Sequence, residues 1–268
     1  MVVTDLDGTL LDDSYPVAQA AASIERLCAS VPGVQVVLAS SKTFAEMQVI
    51  ARHSESVALV IFENGAGIAW REGTLLRDGD EHIGDFHVQR LCLDYGQVRR
   101  VLLHYRRLGY AFTGFGDMDE AQICARTGLQ PDAARRAADR LMTEPLVWHG
   151  DQNLLPRFVD ALKQHGLTLQ LGGRFHHASS GANKAIAFKY LLDALAYEKG
   201  LCPSVLACGD APNDLELVDL ADQAVLFPQR HGEYLLPPSN KISHAPRSGP
   251  AAWMEAVFPI VTAQEECA

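Results

Sequence analysis

Three short apolar runs constrain the fold of this chain most strongly. Residues 34–39 (VQVVLA), 57–62 (VALVIF) and 204–208 (SVLAC) are almost continuously apolar and too short to be buried helices. Between the first two runs, apolar residues such as Phe44 and Met47 recur at helical spacing. Strands this apolar, alternating with helices, indicate a parallel sheet that is covered on both faces. The sequence therefore predicts an α/β fold with a doubly wound parallel sheet as its core.

The pattern changes in the middle of the chain. Apolar residues at helical spacing from Val88 to Leu102 predict one long helix there. Further strands are predicted at 111–115, 146–148 and 167–171, and further helices at 131–140 and 154–165. We therefore predict an inserted α/β domain at residues 82–174, between the two halves of a core domain at 1–81 and 175–268.

The α/β alternation resumes after this insert. A helix is predicted at about 183–198, followed by strands at 204–208 and 223–227. Residues 229–250 are rich in Pro, Ser and His and are predicted as a loop, with a short helix near 251–257.

The charge balance restricts the classes of binding partner. The chain has 268 residues with 33 acidic and 23 basic side chains, which gives a formal net charge of −10. A chain of this sign is poorly suited to general binding of nucleic-acid phosphates. A small anionic substrate is still compatible with it, because a divalent metal and a few cations reverse the local potential of a cleft.

The cysteines and the apolar segments bear on the compartment. Six cysteines are scattered without a C-x-x-C pair, which favours reduced thiols. No stretch approaches the roughly 20 apolar residues that span a bilayer, and the N-terminus shows no leader pattern. We therefore expect a cytoplasmic protein, monomeric or homodimeric, with no membrane or nucleic-acid partner.

Asp5 and Asp7 form the clearest chemical signal. They follow the apolar run Val2-Val3-Thr4, where a predicted strand becomes a turn containing Gly8. Open α/β sheets bind ligands at the carboxyl ends of their strands. One carboxylate there can attack phosphorus and a second can transfer the proton. A D-x-D sequence near an N-terminus is also often a helix cap or a turn.

Three further elements follow predicted strands or open a helix. Ser40 follows the second strand, Lys184 opens the helix after the insert, and residues 209–214 (GDAPND) follow a buried strand. Taken singly, a serine there is commonly a helix cap and a lysine is usually solvated. Their common position at strand ends favours a single crevice that contains all of them.

Together, these elements resemble the four motifs of the haloacid dehalogenase-like phosphatases. The motifs are residues 5–9 (DLDGT), Ser40, Lys184 and residues 209–214, in the order of that family. The insert is similar to the α/β cap of the Cof-like branch, so the resemblance covers essentially the whole chain. It implies a Rossmann-like core with a C2B-type cap.

The resemblance also implies roles for individual residues. Asp5 would be the nucleophile and Asp7 the general acid/base, while Ser40 and Lys184 would bind the phosphoryl group. Mg²⁺ is the implied cofactor, since hard oxygen ligands suit it. Its implied ligands are the Asp5 carboxylate, the Asp7 backbone carbonyl and Asp210, with Asp214 and Asn213 in support. The third motif departs from the family, because Asn183 stands where relatives usually have aspartate.

Finer motifs are similar to those of mannosyl-3-phosphoglycerate phosphatases. These motifs are SSKT at 40–43, ENGA at 63–66, FGDM at 115–118, TGL at 127–129, EPL at 144–146 and GRFH at 173–176. The implied reaction is hydrolysis of mannosyl-3-phosphoglycerate to mannosylglycerate, a compatible solute, and phosphate, through an aspartyl-phosphate. The expected substrate contacts are Ser40, Lys42, Asn64, Glu144, Arg174, His176 and Asn213.

The substrate contacts have simpler explanations, and the function has alternatives. Arg174 would bind the glycerate carboxylate and His176 would add a hydrogen bond, while Glu144 would accept one from a sugar hydroxyl. A surface salt bridge is the simpler explanation for Arg174, and a structural pair is the simpler one for His176 and His177. Glucosyl-3-phosphoglycerate phosphatase and a general Cof-like sugar phosphatase are the closest alternatives. A phosphomutase and a binding domain without turnover are more distant ones.

Overall fold

The computed structural model describes residues 1–75, 79–172 and 175–265. Within these residues the strands form a nine-stranded sheet, in the order β13-β12-β11-β1-β2-β3-β4-β6-β5, and a four-stranded sheet, in the order β7-β8-β10-β9. The strands are β1 (Val2–Thr4), β2 (Val36–Ala39), β3 (Leu59–Phe62), β4 (Gly67–Arg71), β5 (Glu81–Ile83), β6 (Phe86–Arg90), β7 (Phe112–Gly114), β8 (Glu144–Trp148), β9 (Thr168–Gly172), β10 (Phe175–Ser179), β11 (Leu206–Gly209), β12 (Gln223–Leu226) and β13 (Ile242–His244). The helices are α1 (Val17–Ser30), α2 (Phe44–Ala51), α3 (Tyr95–Arg107), α4 (Glu120–Thr127), α5 (Pro131–Ala138), α6 (Leu155–Lys163), α7 (Lys184–Lys199), α8 (Leu215–Leu220) and α9 (Pro250–Glu265).

The predicted doubly wound core is confirmed. Strands β13, β12, β11, β1, β2 and β3 pair in parallel. Successive side chains of a strand point to opposite faces, so Val2 packs with α1, α2 and α9 while Val3 packs with α7 and α8. Both faces of this part of the sheet are therefore buried under helices, which explains why its strands are almost wholly apolar.

The other edge of the large sheet is antiparallel and was not predicted. Strand β4 pairs with β3, β6 with β4, and β5 with β6. The predicted helix from Val88 was wrong at its start, because Val88 lies in β6 and α3 begins at Tyr95. Asp94 caps α3 by accepting a hydrogen bond from the backbone N–H of Gln97 (2.8 Å). Val88 and Leu91 have a helical spacing only by coincidence, because Val88 lies in β6 and Leu91 lies in the connection after it.

The small sheet has its own core and is antiparallel throughout. Helices α3 and α6 pack on it through residues such as Leu102 and Phe158, which are fully buried.

Strand pairing does not follow the predicted domain limits of 82 and 174. Strands β5 and β6 pair in the large sheet and β10 pairs in the small one. The two-domain division stays a prediction, and strand pairing favours limits just before α3 and just after β10. We call this part of the chain, residues 94–179, the small-sheet region.

The C-terminal part closes the large sheet near β1. The segment predicted as a loop at 229–250 contains β13, and α9 is longer than the predicted helix. Trp253 on α9 is fully buried, and its indole N–H donates to Thr4 Oγ1 (3.0 Å). Helix α9 therefore supports the strand that precedes Asp5.

Within the described residues, every helix is too short or too polar to span a bilayer.

Candidate active site

The candidate site lies where neighbouring parallel strands end. Asp5 follows β1, Ser40 follows β2 and Asp210 follows β11, and these three strands are adjacent in the order β11-β1-β2. The carboxyl ends of parallel strands share one edge of the sheet, so residues distant in sequence meet there. The backbone N–H of Asp5 donates to the carbonyl of Cys208 on β11 (2.9 Å), which fixes the aspartate in register with the neighbouring strand.

Lys184 reaches this edge from the first residue of α7. Its Nζ donates to Asp5 Oδ1 (2.6 Å) and to Asp214 Oδ1 (2.7 Å), and all three side chains are at least nine-tenths buried. Asn183 caps α7 by accepting hydrogen bonds from the backbone N–H groups of Ala185 and Ile186. Asn183, which stands where an aspartate is usual, therefore caps the helix as an aspartate would.

The surroundings of Asp5 and Lys184 shift both pKa values. Burial raises the pKa of Asp5 well above its usual range, Lys184 partly counteracts this, and the carboxylates of Asp214, Asp210 and Asp7 raise it further. Burial alone would lower the pKa of Lys184, but Asp214 and Asp5 outweigh it and the pKa is raised. Lys184 is therefore a permanent cation in a site that has an excess of carboxylates.

Asp210 and Asp214 differ in what their oxygens contact. Asp214 Oδ2 accepts hydrogen bonds from the backbone N–H groups of Asp210 and Ala211 (3.2 and 3.0 Å), so both Asp214 oxygens are already engaged. Asp210 Oδ1 accepts a hydrogen bond from Thr9 Oγ1 (3.1 Å). Burial and the charge of Asp214 raise the pKa of Asp210 to about 6, although the Thr9 hydrogen bond opposes this. Asp214 thus orients Lys184 and its own loop, while Asp210 faces the crevice.

The turn after β1 must approach Asp210 closely. Gly8 has a φ of +83°, and a Cβ on this residue would lie 2.5 Å from Asp210 Oδ2. An L side chain at this position would be strained in its backbone and would displace the carboxylate. The glycine of the DLDGT sequence is therefore required by both conformation and space.

The carboxylates fit the metal that the family implies. One oxygen each from Asp5, Asp210 and Asp214 lies within 4.8 Å of the other two. Carboxylate oxygens are hard ligands that suit Mg²⁺. Burial, and then the neighbouring carboxylates, raise the pKa values of Asp5 and Asp210, so a bound cation would stabilise their ionised forms.

Asp7 lies at the exposed side of the crevice. Its side chain is 47% exposed, and its Oδ2 accepts a hydrogen bond from Lys42 Nζ (2.7 Å). The ammonium of Lys42 also lies 4.7 Å from the ring centre of Tyr15. Tyr15 has a φ of +57°, a conformation that is rare for a tyrosine. This aromatic residue at the mouth of the crevice was not identified from the sequence.

Ser40, Asn64 and Asn213 complete the crevice. Ser40 is buried, and its Oγ accepts a hydrogen bond from the backbone N–H of Lys42 (3.3 Å). The side-chain amide of Asn213 donates to Asn64 Oδ1 (3.0 Å), which links the loops after β11 and β3. Gly65, the residue after Asn64, has a φ of +90°, and a Cβ on it would collide with the backbone of Asn183. The large-sheet residues of the predicted site therefore lie together at one edge of the sheet.

The substrate contacts expected in the insert are less uniform. Glu144 on β8 is fully buried and accepts hydrogen bonds from Tyr95 (2.8 Å), Arg99 (2.7 Å) and the backbone N–H of Gly116 (3.0 Å). These structural donors already occupy its carboxylate, and its contact with a sugar stays a prediction. His176 on β10 is partly buried, which lowers its pKa. Arg174 lies outside the described residues.

A buried link between the large sheet and the small-sheet region was missed by sequence reasoning. Glu63 accepts hydrogen bonds from the backbone N–H groups of Leu141, Met142 and Thr143 (2.7, 3.0 and 2.7 Å). Arg140 Nε lies 3.7 Å from the same carboxylate. These contacts make Glu63 an anchor between the two parts of the molecule.

Comparisons with known proteins agree with this geometry. The haloacid dehalogenase-like hydrolase family matches residues 2–81. A protein of Methanococcoides burtonii named glucosyl-3-phosphoglycerate/mannosyl-3-phosphoglycerate phosphatase is 30% identical over 270 residues, covering 97% of each chain.

Solved structures show the same fold. BT1666 from Bacteroides thetaiotaomicron, a phosphatase of the HAD superfamily, superimposes with a TM-score of 0.59 at 14% identity, covering 99% of this chain and 93% of its own. A haloacid dehalogenase-like hydrolase from B. subtilis gives a TM-score of 0.61 at 15% identity, covering 97% and 98%. At such low identity these structures support the fold alone. The full-length match to the archaeal phosphatase supports more, and this chain belongs to the haloacid dehalogenase-like hydrolases and is a phosphoric monoester hydrolase.

Proposed function

We propose that this phosphatase hydrolyses a glycosyl-3-phosphoglycerate, with mannosyl-3-phosphoglycerate as the first candidate, and uses Mg²⁺. The observation that carries the chemistry is the contact of Lys184 with both Asp5 and Asp214 beside Asp210. The substrate class follows from the likeness to the archaeal phosphatase, which extends over 97% of both chains.

The proposed reaction begins with Asp5. Its carboxylate oxygen attacks the phosphorus in line with the ester oxygen, so that an aspartyl-phosphate forms as the P–O ester bond breaks. Asp7 donates a proton to the departing alkoxide and later accepts one from the water that hydrolyses the aspartyl-phosphate. Ser40 and Lys184 bind the transferring phosphoryl oxygens, whose negative charge spreads in the transition state.

The metal would be held mainly by Asp5 and Asp210, with the Asp7 carbonyl, Asp214 and Asn213 in support. When bound, Mg²⁺ supplies positive charge that stabilises the phosphoryl oxygens during transfer. Lys42 contacts Asp7 at 2.7 Å and is proposed to hold this carboxylate toward the ester oxygen.

The small-sheet region is proposed to cover the crevice as a cap domain and to select the substrate. Arg174, His176, Glu144 and Asn64 stay the candidate contacts for the glycerate and sugar groups. The cytoplasm stays the proposed compartment and mannosylglycerate biosynthesis the proposed pathway.

A phosphate-release assay tests the substrate class. The panel is mannosyl-3-phosphoglycerate, glucosyl-3-phosphoglycerate, 3-phosphoglycerate, mannose 6-phosphate and glucose 6-phosphate. We expect kcat/KM for at least one glycosyl-3-phosphoglycerate to exceed that for the simple phosphates by about a hundredfold or more, because binding energy from the remote groups lowers the barrier. Equal values across the panel would instead identify a general sugar phosphatase, and isomerised substrate without free phosphate would identify a phosphomutase.

A further inference from the structure

A second group of metal-ligating side chains lies far from the aspartate crevice in the large sheet. His82 on β5 and His87 on β6 are paired directly opposite each other across a two-residue hairpin turn at Gly84 and Asp85. Glu72 follows β4, whose Trp70 is the partner of His87 in the ladder. The H-x4-H spacing therefore places both imidazoles on one face of the antiparallel edge, beside a carboxylate from the next strand.

The three side chains converge closely. One ligating atom each from Glu72, His82 and His87 lies within 4.8 Å of the other two. His87 Nε2 is 2.7 Å from Glu72 Oε2, and the two imidazole centres are 3.9 Å apart. In a tetrahedral zinc site, ligands at the usual distance of about 2.0–2.2 Å from the metal are separated from each other by roughly 3.3–3.6 Å. Small side-chain rotations would therefore bring the three ligating atoms to this separation.

The group combines one fixed ligand with two adjustable ones. His87 is 4% exposed, and its ring stacks on Trp70 with an interplanar angle of 11°. Glu72 and His82 are exposed and are able to rotate toward an incoming ion. A buried, oriented imidazole with two solvent-facing partners leaves a coordination position open to water.

We propose that Glu72, His82 and His87 bind a divalent transition-metal ion of the zinc class. Two imidazoles and a carboxylate suit Zn²⁺, whereas Mg²⁺ prefers an all-oxygen set. The ion would replace the hydrogen bond between His87 Nε2 and Glu72 Oε2. The ring proton of His87 then lies on Nδ1, and the 3.5 Å contact of Nδ1 with the backbone N–H of Gly79 is given up.

Such an ion would connect the strands of the antiparallel edge. The three ligands come from β5, from β6 and from the residue after β4, and β5 is an edge strand of three residues. A short edge strand gains little from its own ladder. Metal binding therefore stabilises this edge of the folded protein, and its effect is independent of the phosphatase reaction.

Zinc titration of the metal-stripped full chain tests this site. Calorimetry is carried out with ZnCl₂ in the presence of excess Mg²⁺, which competes for the aspartate crevice. The variants are His82→Ala and Glu72→Gln, and His53→Ala is the control because His53 is an exposed histidine outside the group. Thermal unfolding of the same samples with and without Zn²⁺ gives a second readout. Mg²⁺-dependent phosphatase activity checks that each variant is folded.

We expect the wild type and His53→Ala to bind one Zn²⁺ and to unfold at a higher temperature when it is present. His82→Ala and Glu72→Gln should bind it more weakly by about tenfold or more and lose the thermal shift, because each lacks a ligand. The proposal is overturned if the wild type binds no Zn²⁺ under these conditions. Equal affinity in the wild type and His82→Ala would overturn it as well, since the ion would then lie elsewhere.

Discussion

Two groups of charged side chains in this molecule contain similar residues but differ in net charge. The group at the carboxyl ends of the parallel strands, here called the crevice group, consists of Asp5, Asp7, Asp210, Asp214, Lys42 and Lys184. The group in the small-sheet region, here called the insert group, consists of Asp117, Glu144, Arg99, Arg106 and Tyr95. When all the acids are ionised, the crevice group has two unmatched negative charges and the insert group has none.

The difference in balance is visible in the pKa values. In the crevice group, burial raises the pKa of Asp5 and Asp210, and neighbouring carboxylates raise it further. In the insert group, hydrogen bonds from Arg106 and Arg99 outweigh burial and lower the pKa of Asp117. Burial raises the pKa of Glu144 there, but the charge of Arg99 and the hydrogen bond from Tyr95 oppose this shift. A buried group that is balanced internally needs no ligand, whereas one with excess charge favours a bound cation. The comparison therefore separates a site from a structural network among residues of the same types.

The largest expected effect is on turnover in the crevice group. Asp5→Asn should reduce phosphate release by about four orders of magnitude or more, because it removes the proposed nucleophile. The protein should stay folded, since asparagine has the size of aspartate and its side-chain oxygen can still accept the hydrogen bond from Lys184. Asp13→Asn, at an exposed aspartate of the same segment, is the matched control. Near-normal turnover in Asp5→Asn would rule out this residue as nucleophile.

The next effect concerns metal removal. Treatment with EDTA should reduce activity to about one per cent or less, and Mg²⁺ should restore it. The reason is that the crevice group has two unmatched negative charges that a bound cation would neutralise. Excess Mg²⁺ at about 100 times its Kd should also stabilise the fold by about 2.7 kcal/mol. Differential scanning calorimetry of the wild type and Asp210→Asn measures this. A Mg²⁺-induced shift of equal size in Asp210→Asn would contradict the proposed ligand set.

A paired substitution compares the two groups directly. Lys184→Met and Arg99→Met each leave a fully buried carboxylate without its cation, so each should reduce the free energy of unfolding by about 3–5 kcal/mol. Lys184 contacts Asp5 and Asp214, whereas Arg99 contacts Glu144 and Asp117. Urea unfolding should show that Mg²⁺ stabilises Arg99→Met by the same amount as the wild type, because its crevice is intact, and that Mg²⁺ stabilises Lys184→Met by a larger amount. Equal stabilisation of both variants by Mg²⁺ would contradict the distinction drawn above.

The smallest effect is a pH dependence in the insert group. The pKa of Asp117 is lowered in the folded state from its usual value of 3.8, so its contribution to stability is present above that value and is lost as pH falls. The difference in unfolding free energy between the wild type and Asp117→Asn should therefore shrink as pH is lowered from 7 to 3. Urea midpoints measured at several pH values check this. A difference that stays constant with pH would show that Asp117 acts through its shape rather than its charge.

The core fold and the crevice were predictable because they depend on local patterns. Apolar runs of four to six residues with helices between them indicate parallel strands, and polar residues just after such strands meet at one sheet edge. This is why Asp5, Ser40 and Asp210 were identified from the sequence, whereas Lys184 was identified at the start of a predicted helix. Asn183 looked like a loss in the third motif, yet its amide caps α7 as a carboxylate would.

The insert was harder to predict because its contacts are distant in sequence. Val88 fits a helical spacing with Leu91, and only its pairing with β4 and β5 makes it part of a strand. Glu144 was expected to face a sugar, and its burial under Tyr95 and Arg99 depends on packing between residues 45 to 49 positions apart. No local sequence pattern indicates such a contact.

The parallel core, the order of the motifs and the residues at the strand ends all follow from the amino-acid sequence. These features follow from side-chain periodicity and from residues that a turn or a buried strand requires, such as Gly8. The packing of the folded chain sets which carboxylates keep unmatched charge. It also makes Glu63 an anchor of the insert and brings His82 and His87 together beside Glu72. The physical reason is that burial and the balance of charges depend on three-dimensional neighbours, which a linear pattern does not specify.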